Sequence, residues 1–275
     1  MRLKIVHEIA SQFDPPITSA IRKVRLTPRT YDGQYVGEWR IDVDQDCRLD
    51  RVLDAYGNII HNFSLAGPVR AFTVTAMGEV EVDDTAGVLQ TAARLPPGLF
   101  MRETPLTHAD QDLRDFGWTV AEAAGENPLD RCHALMHALA DRMQPEGDPA
   151  DDICGTVTTA APAVFASGKA GPIGMAHVFI AAARHIGVPA RFVTGYVWRD
   201  DERDSGSAAH AWAEAHVDGL GWVGFDVTGR TCPTDAYVRV SASLDQNGAA
   251  FMRGANTGVT AASTESRATI AVSRG

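Results

Sequence analysis

Two polar side chains in the C-terminal half have the types and settings that move protons: His210 in SAAHAWAEAHV and Asp226 in GLGWVGFDVTG. Each lies close to a tryptophan, Trp212 and Trp222 respectively. An imidazole held by a carboxylate can take the proton of a thiol, the carboxylate fixing its tautomer and orientation. A hydrogen-bonded structural pair would look the same in sequence, and spacing alone leaves both readings open. The thiols on offer are Cys47, Cys132, Cys154 and Cys232, too scattered for a zinc ribbon or a disulfide framework.

The elements that must position this pair follow from periodicity. Residues 1–88 are short alternating runs: Trp39, Ile41 and Val43 fall on one side of a strand, and Phe72, Val74 and Ala76 repeat the pattern. Asp54 to Asn58 supplies a reversal, and the region reads as an antiparallel β domain. Residues 89–126 have weak periodicity and read as a crossover segment. Asn127-Pro128 is an N-cap followed by proline at the first helical position, and Leu129, Cys132, Met136, Leu139 and Met143 recur at helical spacing. Met175 to His185 is nearly all apolar or small and reads as a buried helix closed by Gly187 and Pro189. ARFVTGYVW, AAHAWAEAHV and LGWVGFDV are strand-like, the last two joined at Asp218-Gly219. Residues 127–245 therefore form a core of helices on an antiparallel sheet, an α+β class. The 246–275 tail is rich in Gly, Ala, Ser and Thr until RATIAV offers a final strand.

HAW at 210–212, GLGWVGFD at 219–226 and AHVFIAAARHIGVPAR followed by TGY resemble the bacterial transglutaminase-like superfamily of predicted cysteine proteases. VRLTPR at 24–29, Gly33-Gln34, Tyr56-Gly57-Asn58 and the CPTDAYVRV segment from Cys232 extend the likeness over nearly the whole chain. The resemblance implies an N-terminal β-sandwich and a papain-like core, with His210 as general base and Asp226 as its orienting acid. It also implies a cysteine opening the central helix, five residues before His177, where this chain has Pro172. Proline has neither a thiol nor a backbone N–H, so it removes nucleophile and oxyanion donor together, yet it suits a first helical turn.

The expected function is thus that of a pseudoenzyme or accessory subunit, leaning away from catalysis. It would bind a peptide or protein, an active enzyme partner among the candidates, with Trp212, His177 and Trp222 lining the site. Two alternatives stay open: an active cysteine peptidase or amide-transferring enzyme using Cys232 with His210 and Asp226, and a metal-binding or structural protein in which His177 approaches that pair. Ser167 and Ser207 are poorly placed for a serine mechanism. His133 and His137, at i and i+4 without an HExxH glutamate, read as a helix face. Glu214 and His216 share the face of His210 and read as structural or pocket-rim residues, and the run Asp200, Asp201, Glu202, Asp204 as a solvated loop.

A net charge of −10 over 275 residues, with no basic cluster evident in sequence, argues against nucleic acid. No apolar stretch is long enough for a membrane helix, and no cofactor is implied. MRLKIVHEIASQF lacks the pattern of a secretory signal, so the expected location is cytoplasmic.

Overall fold

The structure, a computed structural model, describes residues 1–89, 95–146, 159–200, 208–258 and 261–273. The first strand, β1 (Arg2–Thr27), shows the period-2 logic plainly: Leu3, Ile5, His7, Ile9, Ser11 and Phe13 are buried while Arg2, Lys4, Glu8 and Gln12 face solvent. It pairs antiparallel with β4 (Ile59–Val82), whose other edge carries β3 (Asp50–Leu53) and β2 (Gln34–Val43). Register shifts between Gln12 and Ser19 bend the long β1–β4 ribbon, and these strands form one continuous antiparallel sheet.

The tail is more than one closing strand. Both β12 (Met252–Thr257) and β13 (Ala261–Val272) pair antiparallel with β1, the first along Ser19 to Val24 and the second along Leu3 to Asp14. The C-terminus thus completes the sheet that the N-terminus begins.

The segment expected as a crossover contains structure as well. β5 (Val88–Leu89) adds to the edge of the second sheet, a 3-10 turn covers Pro97–Met101, and α1 spans Gln111–Ala124. Asp110 caps α1 by accepting from the Leu113 N–H at 3.0 Å. The helix then buries Leu113, Gly117 and Ala121. α2 (Pro128–Arg142) begins as expected, Asn127 accepting from the Leu129 N–H ahead of Pro128 at N1.

Two short strands, β6 (Gln144–Pro145) and β7 (Lys169–Ala170), flank α3 (Ala161–Ser167). α4 (Pro172–His185) buries twelve of its fourteen residues, with α1, α2 and α3 on one side and the second sheet on the other. That all-round burial explains why its sequence is apolar at nearly every position. The sheet runs in the order β11 (Tyr237–Ser243), β8 (Ala190–Val197), β9 (Ala209–Val217), β10 (Gly221–Phe225), β5, all antiparallel.

Two carboxamides join the halves. Gln34 accepts from the Arg239 N–H at 2.9 Å and donates to the Arg239 carbonyl at 2.9 Å. Asn58 does the same with Ala242, at 2.9 and 2.8 Å. Each amide side chain completes a two-point main-chain pairing along β11, the free edge of the core sheet.

Candidate functional site

His210 is the second residue of β9 and pairs across to Gly195 on β8. A Cβ at Gly195 would lie 2.7 Å from the Trp212 ring and 2.0 Å from the Val238 carbonyl oxygen, so only glycine lets the indole pack beneath this part of the strand. Asp226 follows β10 directly and is tied to Thr231 by an isolated bridge that turns the chain back over its carboxylate.

The structure brings His210 and Asp226 together. Nε2 of His210 donates to Oδ2 of Asp226 at 2.7 Å, and the residues are 0 % and 2 % exposed. Tyr237 donates its hydroxyl to the same Oδ2 at 2.8 Å, and the Thr228 N–H donates to Oδ1 at 3.0 Å. Burial alone would raise the Asp226 pKa, but the His210 charge and hydrogen bond, Tyr237 and the Gly229 N–H outweigh it and hold the carboxylate below its ordinary range. Burial and the neighbouring Asp226 push the Tyr237 phenol upward, so it stays a donor. A Cβ at Gly229 would come within 2.8 Å of Oδ2, which makes the bare backbone there part of the carboxylate's seat. Tyr237 was not singled out as a site residue in sequence; its signal was the CPTDAYVRV segment, where nothing local marks the phenol as reaching back to Asp226.

The other imidazole nitrogen is the informative one. Nδ1 of His210 is buried and has no hydrogen-bond partner. With Nε2 committed to Asp226, Nδ1 is the atom left to accept a proton from a nucleophile. Among the described residues no thiol or hydroxyl is hydrogen-bonded to it. The first turn of α4 abuts the carboxylate's loop, Thr228 donating its hydroxyl to the Met175 sulfur at 3.5 Å. Pro172 sits buried at the N1 position of that turn, after Gly171 as N-cap.

Cys232 is half-buried one residue beyond Thr231, the bridge partner of Asp226, and burial raises its thiol pKa. That is the opposite of what activates a cysteine. Cys132 is buried and pushed up to about 12 by burial and by Cys232. Cys154, Ser207 and the acidic residues 201–204 lie outside the described residues. Ser167 uses its hydroxyl locally, donating to the Val164 and Lys169 carbonyls.

The remaining candidates separate. Trp212 is buried, packs edge-on to Tyr237 and helps line a cavity of about 50 Å3 with Tyr237, Glu214 and Arg239. Trp222 is buried at the far end of the β9–β10 hairpin, opposite His216 and with the Arg191 guanidinium 3.8 Å from its ring centre. His216 lies six positions along β9 from His210, roughly 20 Å, so Trp222 is not part of a site at His210. His177 is fully buried against Phe192, accepts from the Gln246 N–H at 3.1 Å, and is lowered to about 3 by burial and by Arg184. Among the described residues no group of three His, Cys, Asp or Glu side chains could hold a metal ion. Glu214 is buried between Arg191 and Arg239, a structural bridge. His133 packs on Phe225 while His137 is exposed.

Comparison with known proteins gives these features a context. Residues 119–227 match the model of the transglutaminase-like superfamily, and residues 3–81 match that of the bacterial transglutaminase-like N-terminal region. The uncharacterized protein ML0607 of Mycobacterium leprae is 24% identical, over 94% of this chain and 94% of its own. The uncharacterized protein Rv2569c of Mycobacterium tuberculosis is 25% identical, over 92% of this chain and 87% of its own. The crystal structure of a proposed cysteine protease from Cytophaga hutchinsonii superposes with a TM-score of 0.77 at 18% identity, covering 98% of this chain and 90% of that one. At that identity the likeness establishes the fold.

Proposed function

We propose that this chain, which belongs to the transglutaminase-like superfamily, has lost the nucleophile of its family site and works by binding a peptide or protein, as a pseudoenzyme or as the accessory subunit of an active enzyme. The observation that carries this reading is the Nδ1 of His210: the base and its orienting acid are in place, and among the described residues no thiol is hydrogen-bonded to the atom that would receive its proton. Pro172 occupies the helix-opening position where the family resemblance puts cysteine, and it offers neither sulfur nor N–H to an oxyanion. The buried aspartate–histidine pair, held also by Tyr237 and Thr228, then stays as a structural element. Three unpaired cysteines among the described residues suit a reducing compartment such as the cytoplasm.

The test is covalent labelling of the full chain with a peptide bearing a thiol-directed electrophile, read by intact mass and peptide mapping. The reading predicts no adduct that depends on His210 and no amide turnover. An adduct on Cys232 or Cys154 that disappears in His210→Ala would establish a displaced nucleophile and overturn it.

A further inference from the structure

A second feature, remote from the His210–Asp226 pair, is a basic cavity of about 470 Å3 on the N-terminal sheet, lined by Ile21, Arg22, Lys23, Arg25, Asn62, Asn247, Arg253, Gly254 and Ala255. Four of these side chains are cationic and none is acidic, on a chain whose net charge is −10. Lys23 and Arg253 are direct cross-strand partners in the β1–β12 pairing, an arrangement of like charges that costs stability unless something sits between them. Arg25 lies two residues along the same face, 7% exposed, and its Nη1 has no hydrogen-bond partner. Its carboxylate neighbour is Asp54, at 3.5 Å from Nε, and Asp54 also accepts from the Tyr56 and Asn58 backbone N–H groups. Burial lowers the Arg25 pKa, Asp54 opposes the change and the Arg253 charge adds to it.

The other two guanidinium groups lack carboxylates among the described residues. Arg22 donates to the carbonyls of Ile21 and Ala255 and to Asn256, and lies over the Phe13 and Phe72 rings. Arg253 donates to the Asn247 carbonyl at 3.0 Å. The next acid along the cross-strand row is Asp50, opposite Asn62 and paired to Arg48.

We propose that this cavity binds the phosphate group of a small molecule, Lys23, Arg25 and Arg253 supplying the charge and Ile21, 63% exposed, meeting an organic part of the ligand. A dianion matches Lys23 and Arg253, which have no carboxylate partner among the described residues, with Arg25 beside them, better than a monocarboxylate does, and guanidinium groups suit its oxygens geometrically. The site is independent of the proposal made for His210 and stands whether or not that one does.

The experiment titrates the full chain with inorganic phosphate, phenyl phosphate and acetate at about pH 8, where phosphate is a dianion, and at one ionic strength set with chloride, following Tm and heat. The proposal predicts a saturable rise in Tm with both phosphates and none with acetate. Tighter binding of phenyl phosphate assigns the site to an organic phosphate; equal binding assigns it to free phosphate. Lys23→Gln and Arg253→Gln each weaken binding by about tenfold or more, and each raises Tm in phosphate-free buffer by relieving the cross-strand repulsion. Arg48→Gln, a cation outside the cavity, leaves the response unchanged. The proposal is wrong if no response saturates, if acetate acts as well as phosphate, or if Arg48→Gln weakens binding as much as Lys23→Gln.

Discussion

At the scale of single residues, burial decides which groups can titrate. His7 is fully buried, with Nδ1 2.9 Å from the Tyr196 hydroxyl and Nε2 2.8 Å from the Ser266 hydroxyl, and burial lowers its pKa to about 3. His177 is held to about 3 as well, and His61 and His133 are lowered less. These folded values lie below the ordinary 6.5, so the unfolded chain takes up protons first as pH falls, and stability is lost from about 6.5 downward. His7 and His177, both fully buried, each contribute a slope approaching about 1.4 kcal/mol per pH unit. Asp226 and Glu214, both held below their ordinary values of 3.8 and 4.5, stabilise above those values, and their contribution is lost only at lower pH. Urea unfolding at several pH values should therefore show the free energy falling steeply between about 6 and 5, and a flat profile there would show that the buried histidines take up protons in the folded state. The types of His210 and Asp226 were legible in the sequence because they sit in strand-like runs beside recurring aromatic residues. Tyr237 was not, since its hydroxyl reaches Asp226 from a third strand eleven residues along the chain.

At the scale of elements, what the sequence conceals is pairing over distance. α2 and the β9–β10 hairpin carry their own cap, turn residues and periodicity and lie where those signals place them, while α4, apolar nearly all round, begins at Pro172, three residues before its Met175–His185 run. α1 follows a polar HADQD stretch and is interrupted by Gly117, which packs close to Ala182 of α4, so its apolar stripe reads as weak. β13 is largely exposed along its length, so only its RATIAV end reads as a strand in sequence, and its place is fixed by backbone pairing to β1. The Gln34 and Asn58 carboxamides are equally silent in sequence because their partners lie 205 and 184 residues away. Gln34→Leu should cost about 2–4 kcal/mol in urea unfolding, since it leaves both main-chain groups of Arg239 unpaired in a partly buried setting. A loss below about 0.5 kcal/mol would show that water or a shifted β11 replaces the amide.

At the scale of the whole molecule, the proposed loss of the nucleophile turns on the different demands that fold and chemistry place on one position. The fold asks position 172 to start a helix packed on every side, and proline satisfies it, since the first-turn N–H has no intrahelical partner. Catalysis would ask the same position for sulfur and an N–H, which proline cannot give. The neighbours that would serve such a sulfur, an ionised Asp226 and an oriented His210, are assembled. The most direct test is therefore to restore the thiol and read its ionisation by ultraviolet thiolate absorbance in Pro172→Cys, with and without His210→Ala. The account predicts an added thiolate that forms well below the ordinary thiol pKa of about 8.5 and returns to it when His210 is removed. An added thiol that ionises at or above that value, indifferent to His210, would contradict it.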